Sequence, residues 1–151
     1  MIKPPKNYFK DNFLPKLNVG LIYETKALQK ILKYYGSNIK LLRTNDDFKF
    51  DFELSNGLKF EVKADIKASI TNNIFIEYLQ FNISSGIDKT EADYYIIIVP
   101  LNEYILIETK KIKNLIDEKL YKFIIQPTKN NNYTAGYIFE KQFIINNGIL
   151  I

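Results

Sequence analysis

Residues 47–63 constrain the fold of this chain more tightly than any other stretch. They read Asp-Phe-Lys-Phe-Asp-Phe-Glu-Leu, then Ser-Asn-Gly, then Leu-Lys-Phe-Glu-Val-Lys. Apolar and polar residues alternate twice with a turn between, and strict alternation over this length belongs to half-buried strands. Phe48, Phe50, Phe52 and Leu54 share one face of the first strand, and Lys49, Asp51 and Glu53 share the other. In the second strand Leu58, Phe60 and Val62 face the core, while Lys59, Glu61 and Lys63 point away. Asn56-Gly57 predicts the turn, because both residues accept a positive φ. The expected hairpin has aromatics beneath and Asp51, Glu61 and Lys63 above. Two carboxylates and an amine on adjacent strands suit a hard divalent cation and a water. Mg2+ prefers a few carboxylate oxygens together with waters and phosphate.

The composition narrows the chemistry further. A chain of 151 residues suits one domain with a real core. With 46% hydrophobic residues, 11 Tyr and 11 Phe, it collapses rather than staying disordered. There are no cysteines and no histidines. That excludes disulfides, thiolate and histidine metal sites, Ser-His-Asp triads and any histidine base. Enzymatic chemistry would therefore fall on carboxylates, Lys or Tyr. The net charge of +4 fits a polyanion partner, and equally a lysine-rich solvated surface. No apolar run reaches about 18 residues, so no membrane span is expected. The first residues, Met-Ile-Lys-Pro-Pro-Lys-Asn-Tyr, carry no apolar leader. The expected location is thus the cytoplasm, that of the host cell if the chain is phage-encoded.

Along the chain, residues 1–17 carry Pro4, Pro5 and Pro15 and read as an extended arm, packed through Tyr8, Phe9 and Phe13. Asn18 is a candidate N-cap for a helix over 19–35, closed by Gly36. Its apolar stripe is Leu21, Leu28, Ile31 and Tyr35. Glu24 falls on that stripe, where a carboxylate either needs a partner or a task, or reaches solvent from the edge. Residues 38–43 form a short strand or a lead-in to the hairpin. A loop over 64–73 follows, then a third strand over 73–80, in which Glu77 shares a face with Phe75 and Leu79. After a turn at Ser84-Ser85-Gly86-Ile87 and at most a short helix over 88–92, the run 94–99 reads as a strand buried on both faces. Another strand over 104–107 and a helix from an N-cap at Thr109 to about residue 120 come next. Short β runs are expected over 122–125, 136–139 and 143–145, around a polar loop at 129–133.

This order places Glu24 on a helix, Asp51 on one hairpin strand, Glu61-Val62-Lys63 on the other, and Glu77 on the third strand. The pattern resembles the PD-(D/E)XK nuclease superfamily, with Phe50 standing where the motif has Pro. The stretch Ser85-Gly86-Ile87-Asp88-Lys89-Thr90-Glu91-Ala92-Asp93-Tyr94-Tyr95 is also similar to one found in phage-type members. The spacing from Glu24 to Asp51 looks similar to that of Holliday-junction-resolving members. The resemblance covers about residues 18–100. It implies an α/β, restriction-endonuclease-like fold: a mixed central sheet flanked by helices, core order αβββαβ, and an α+β C-terminal extension over 101–151, all in one domain.

The implied activity is metal-dependent endonucleolytic cleavage of DNA, at a branched junction or at a specific site. Junction cutting would need a second copy of the chain. Asp51, Glu61 and the Val62 carbonyl would hold Mg2+ or Mn2+, and Glu24 would complete the site. Lys63 would orient or deprotonate the attacking water, or offset developing charge. Glu77 would be an outer ligand, a partner for Lys63 or a structural pair with another lysine. Glu53 and Asp65 are expected to face solvent. The alternative is a non-catalytic DNA-binding or virion module that keeps the fold, against which the intact Asp51, Glu61 and Lys63 set argues.

Overall fold

The apolar run at 94–99 becomes the centre of a six-stranded sheet. In the computed structural model, which describes residues 14–45, 47, 49–100 and 102–151, this run is β6 (Tyr94–Val99). It lies between β3 (Lys59–Ala64), to which it is parallel, and β7 (Glu103–Glu108), to which it is antiparallel. The strand order is β1-β2-β3-β6-β7-β10, where β1 is Leu41–Thr44, β2 is Phe52–Leu54 and β10 is Ile149–Leu150. One parallel pair among antiparallel ones makes the sheet mixed. A second sheet has the order β5-β4-β9-β8, from β4 (Asn73–Gln80), β5 (Ile83–Ser84), β8 (Phe123–Ile125) and β9 (Ala135–Glu140). The helices are α1 (Leu14–Tyr35), the short α2 (Ala68–Thr71), α3 (Thr109–Asp117) and α4 (Lys141–Asn147).

Residue parity on the large sheet sorts two cores. Phe60, Ile96, Ile98, Tyr104 and Leu106 pack with Ala27 and Ile31 of α1. Tyr95, Ile97, Val99, Ile105 and Ile107 face the other way, against Ile74, Ile76 and Phe139 of the second sheet, Ile112 of α3 and Ile144 of α4. The result is a layered α/β arrangement with helices on the sheet's flanks. β6 is buried on both faces, which explains its unbroken apolar run. Each fully buried Ile contributes about 1.5–3 kcal/mol relative to exposure.

Several expectations change. The expected third strand is present as β4, but it opens the second sheet instead of joining the central one. Only a few residues link it to β3, through α2, and β3 takes β6 as its neighbour on that side. Helix α1 begins at Leu14, so Asn18 lies within it and is no cap; Pro15 is tolerated because the first turn has no N–H to lose. Gly36 ends it as expected, at φ +92, with its N–H on the Leu32 carbonyl at 2.9 Å. Leu21 is exposed, whereas Ile31 is fully buried as expected, Leu28 and Tyr35 are partly buried beside it, and Ala27 joins the buried stripe. Residues 1–13 of the expected arm, with Tyr8, Phe9 and Phe13, lie outside the described residues, as does Phe48.

The hairpin turn also differs in detail. Only Gly57 has a positive φ, +84, and Leu54 pairs with Leu58 across three residues. Asn56 acts through its side chain, whose Oδ1 accepts the Leu58 N–H at 3.1 Å. Thr109 is the first residue of α3 rather than its cap; Glu108 holds the cap position in extended conformation. The apolar triplet at 143–145 is helical, since three residues carry no period of their own and α4 needs only Ile144 for its buried side. The tail strands β7 and β10 extend the large sheet and β8 and β9 build the second, so residues 101–151 pair with 18–100 in both sheets.

Candidate active site

Asp51 sits just before β2. Its N–H donates to the Phe60 carbonyl at 2.8 Å, and its carbonyl accepts from the Asn45 N–H at 3.0 Å. Beyond this point β2 no longer pairs with β3, whose ladder to β2 ends at Phe60. The edge of β3 beside Val62 is therefore left without a partner strand, and the Asp51 side chain takes its place: Oδ2 accepts the Val62 N–H at 2.6 Å. A strand residue's N–H and C=O point to the same edge. The Val62 carbonyl thus lies on the Asp51 side of the strand.

Glu61 and Lys63 have the other parity and face the second sheet, not open solvent. Glu61 is in register with Tyr95, and Lys63 with Ile97. The two sheets part here into a cleft of about 390 Å3, lined among others by Asp51, Glu61, Lys63, Glu77 and Tyr95. Residues 80–86, around the β4–β5 turn, supply much of its other wall. The Lys63 Nζ stands 5.2 Å from the centre of the Phe75 ring, a cation–π contact that fixes the amine at the cleft floor.

Glu77 comes from the second sheet and is held in place. The Ser85 hydroxyl donates to its Oε1 at 2.7 Å. Gly86, at φ +51, packs so closely that a Cβ there would lie 2.1 Å from the Glu77 carbonyl oxygen. Glu77 therefore pairs with a serine rather than a lysine. Thr90 closes the site from the far side: its Oγ1 lies 2.9 Å from the Lys49 carbonyl and 3.4 Å from Glu61 Oε2. Glu24, on α1, is not among the residues that line the cleft. It is nevertheless close enough for its charge to act on Glu61.

The electrostatics follow from crowding acids in a half-buried cleft. Burial pushes the Glu61 carboxyl up to about 8; the Asp51 charge adds to this, the Thr90 hydroxyl and Lys63 oppose it, and Glu24 contributes a little more. Burial also raises Asp51, against the Val62 N–H, which favours its ionised form. Burial and the nearness of the two acids thus disfavour charging both at once. Burial, then Glu61, Asp51, Glu77 and Asp88, push the Tyr95 phenol well above the usual tyrosine range.

Asp51, Glu61, Lys63 and Glu77 therefore meet in one cleft, and Glu24 reaches it through its charge on Glu61. Two acids expected in solvent have other tasks. Asp65 is buried, and its Oδ2 accepts the Phe75 N–H at 2.9 Å, anchoring the start of β4. Glu53 pairs with Arg43 on the neighbouring strand at 2.7 Å. Tyr95 lines the cleft and Thr90 reaches Glu61 beside it, and neither was given a role from the sequence. Tyr95 sits inside an apolar run, and only the parallel register of β3 and β6 sets it beside Glu61.

No protein-family model matches the chain, and no curated protein sequence matches it.

Among the described residues no three acidic side chains stand at the spacing of a ready-made metal cluster. The donor set nevertheless suits a hard cation: two carboxylates and a main-chain carbonyl, all oxygen. Two neighbouring carboxylates whose ionised forms burial disfavours are the arrangement a divalent cation would stabilise.

Proposed function

We propose that the chain is a metal-dependent endonuclease of the PD-(D/E)XK type that hydrolyses phosphodiester bonds in DNA. The observation that carries the reading is the cleft where Asp51, Glu61 and Lys63 converge from three points of one hairpin. Asp51 also serves the fold by accepting the Val62 N–H, but burying Glu61 and Lys63 beside it costs free energy that a purely structural site would not need. Asp51, Glu61 and the Val62 carbonyl are the groups that would hold Mg2+ or Mn2+. When bound, the cation supplies Lewis acidity toward a phosphoryl oxygen and makes water a better nucleophile.

The chain's own residues do the rest. The Val62 N–H holds the Asp51 carboxylate in one orientation. Lys63, steadied over Phe75, offsets negative charge that builds on the phosphoryl oxygens. Its amine also holds the proton balance at the attacking water. Glu77, fixed by Ser85, orients water at the cleft's far wall, and Glu24 adds negative charge near Glu61. The net charge of +4 helps to gather a polyanion.

The test is cleavage of linear, flap and four-way DNA substrates with Mg2+ and with EDTA, on the wild type and on Asp51→Asn. Cutting that needs both the cation and Asp51 is expected. Binding without cutting on every substrate would refute catalysis and favour a non-catalytic DNA-binding module. Cutting of the four-way substrate by a dimer alone would identify the junction-resolving subclass.

A further inference from the structure

A row of register partners crosses the large sheet at the floor of the cleft: Glu61 on β3, Tyr95 on β6 and Ile107 on β7. Neighbouring strands lie about 4.8 Å apart, so their side chains stand shoulder to shoulder. Ile107 belongs to the core and Glu61 to the site. Tyr95 is the boundary. Its ring is packed in the apolar cluster and is 3% exposed, yet the residue lines the cleft.

A buried tyrosine hydroxyl ordinarily finds a hydrogen-bond partner. This one stands among the carboxyl groups of Glu61, Asp51, Glu77 and Asp88. Among the described residues it bonds to none of them, and it is not among the atoms sealed from solvent. Lys63 and Lys89 bring cationic donors to the cleft's lining, while Asp51, Glu61 and Glu77 offer carboxylate acceptors. A phosphodiester brings more acceptors and a negative charge. It can settle there only against donors, and a rigidly packed phenol O–H is one that adds no charge and loses little freedom on binding.

We propose that the Tyr95 hydroxyl donates a hydrogen bond to a non-bridging oxygen of the phosphodiester being cut, making Tyr95 a catalytic residue beside Lys63. The inference rests on the nuclease reading above. Phe at this position would keep the ring in its core and remove only the donor. Tyr95→Phe should therefore fold and take up Mg2+ like the wild type. Its single-turnover cleavage should fall roughly 10²-fold, as for loss of one donor aimed at developing charge.

Two measurements separate contact from packing. The first is a thio effect. An oligonucleotide with one phosphorothioate configuration at the cut site should slow the wild type more than Tyr95→Phe, which has already lost the bond that sulfur weakens. The second needs no cleavage. Protein labelled with 13C at the tyrosine Cζ is titrated with a DNA flap substrate in Ca2+, and the Tyr95 resonance is assigned as the one missing from Tyr95→Phe. It should shift as DNA binds. DNA binding that leaves this resonance still, or equal thio effects in both proteins, overturns the proposal. A shift without any cutting by the wild type upholds the phosphate contact and refutes the nuclease reading. Absence of DNA binding overturns both.

Discussion

Removing the divalent cation should make the protein lose stability as pH rises from about 4.5 to about 8, the reverse of the usual carboxylate behaviour. The cause is Glu61, whose carboxyl moves from 4.5 to about 8 on folding, first through burial and then through Asp51. Below 4.5 both folded and unfolded chains hold the proton, and the site costs nothing. Between the two values the folded chain holds a proton that the unfolded chain has released, so stability falls with pH. Above about 8 both are ionised and the full penalty is present. The slope reaches at most about 1.4 kcal/mol per pH unit. Water entering the cleft and charge sharing with Asp51 reduce it, leaving a loss of order a few kcal/mol across the window. Mg2+ should reverse the trend, because it binds the doubly ionised pair. At about 100 times its Kd it adds about 2.7 kcal/mol, most at high pH, where no proton has to leave. The assay is urea unfolding from pH 5 to 8.5 in EDTA and in Mg2+, on the wild type and on Glu61→Gln. The variant should show a flatter profile and little response to Mg2+. A wild type whose EDTA stability is level or rises over this window, or a variant with the same slope, would refute the reasoning.

Lys63→Met should keep the fold and its packing on Phe75, bind Mg2+ as well or slightly better, and cut about 10²–10³ times more slowly in single turnover. Unchanged cutting by well-folded variant would leave Lys63 a mere neutraliser of the acids. Gly86→Ala should cost at least about 2 kcal/mol in urea unfolding, because it combines a left-handed φ with a collision on the Glu77 backbone. A loss within a few tenths of a kcal/mol would show that the Ser85–Ile87 turn is loosely held. Asp65→Ala should cost about 1–3 kcal/mol by leaving the Phe75 N–H unpaired at the start of β4. If Asp65 is solvated instead, the midpoint will not move.

The sequence alone determined the local elements and which residues could do chemistry. Alternation over 47–63 gave a hairpin because side chains on a strand repeat every two residues, and that period needs no tertiary partner to be read. Gly36 marked the end of α1, and Gly57 the turn, because each takes a φ that other residues avoid. The apolar run at 94–99 announced a strand covered on both sides. The absence of Cys and His left Asp, Glu, Lys and Tyr as the reactive set, and the spacing of Asp51 from Glu61-Val62-Lys63 followed from the turn. What the sequence could not hold is which strand lies beside which. Hydrogen-bond pairing between strands is carried by backbone groups that are alike at every residue, so β4 looked like a third strand of the central sheet until the chain's tail supplied β9 as its partner. The same blindness hid Tyr95, which became a neighbour of Glu61 only through the parallel register of β3 and β6. Asp65 and Glu53 looked like solvent-facing acids, because polarity in sequence says nothing of the orphaned N–H or the arginine that folding brings beside them. Even the exposure of the site was decided late: the polar face of the hairpin became the floor of a cleft because a second sheet, in which β4 and β5 pair with β9 and β8 from the chain's tail, closed over it.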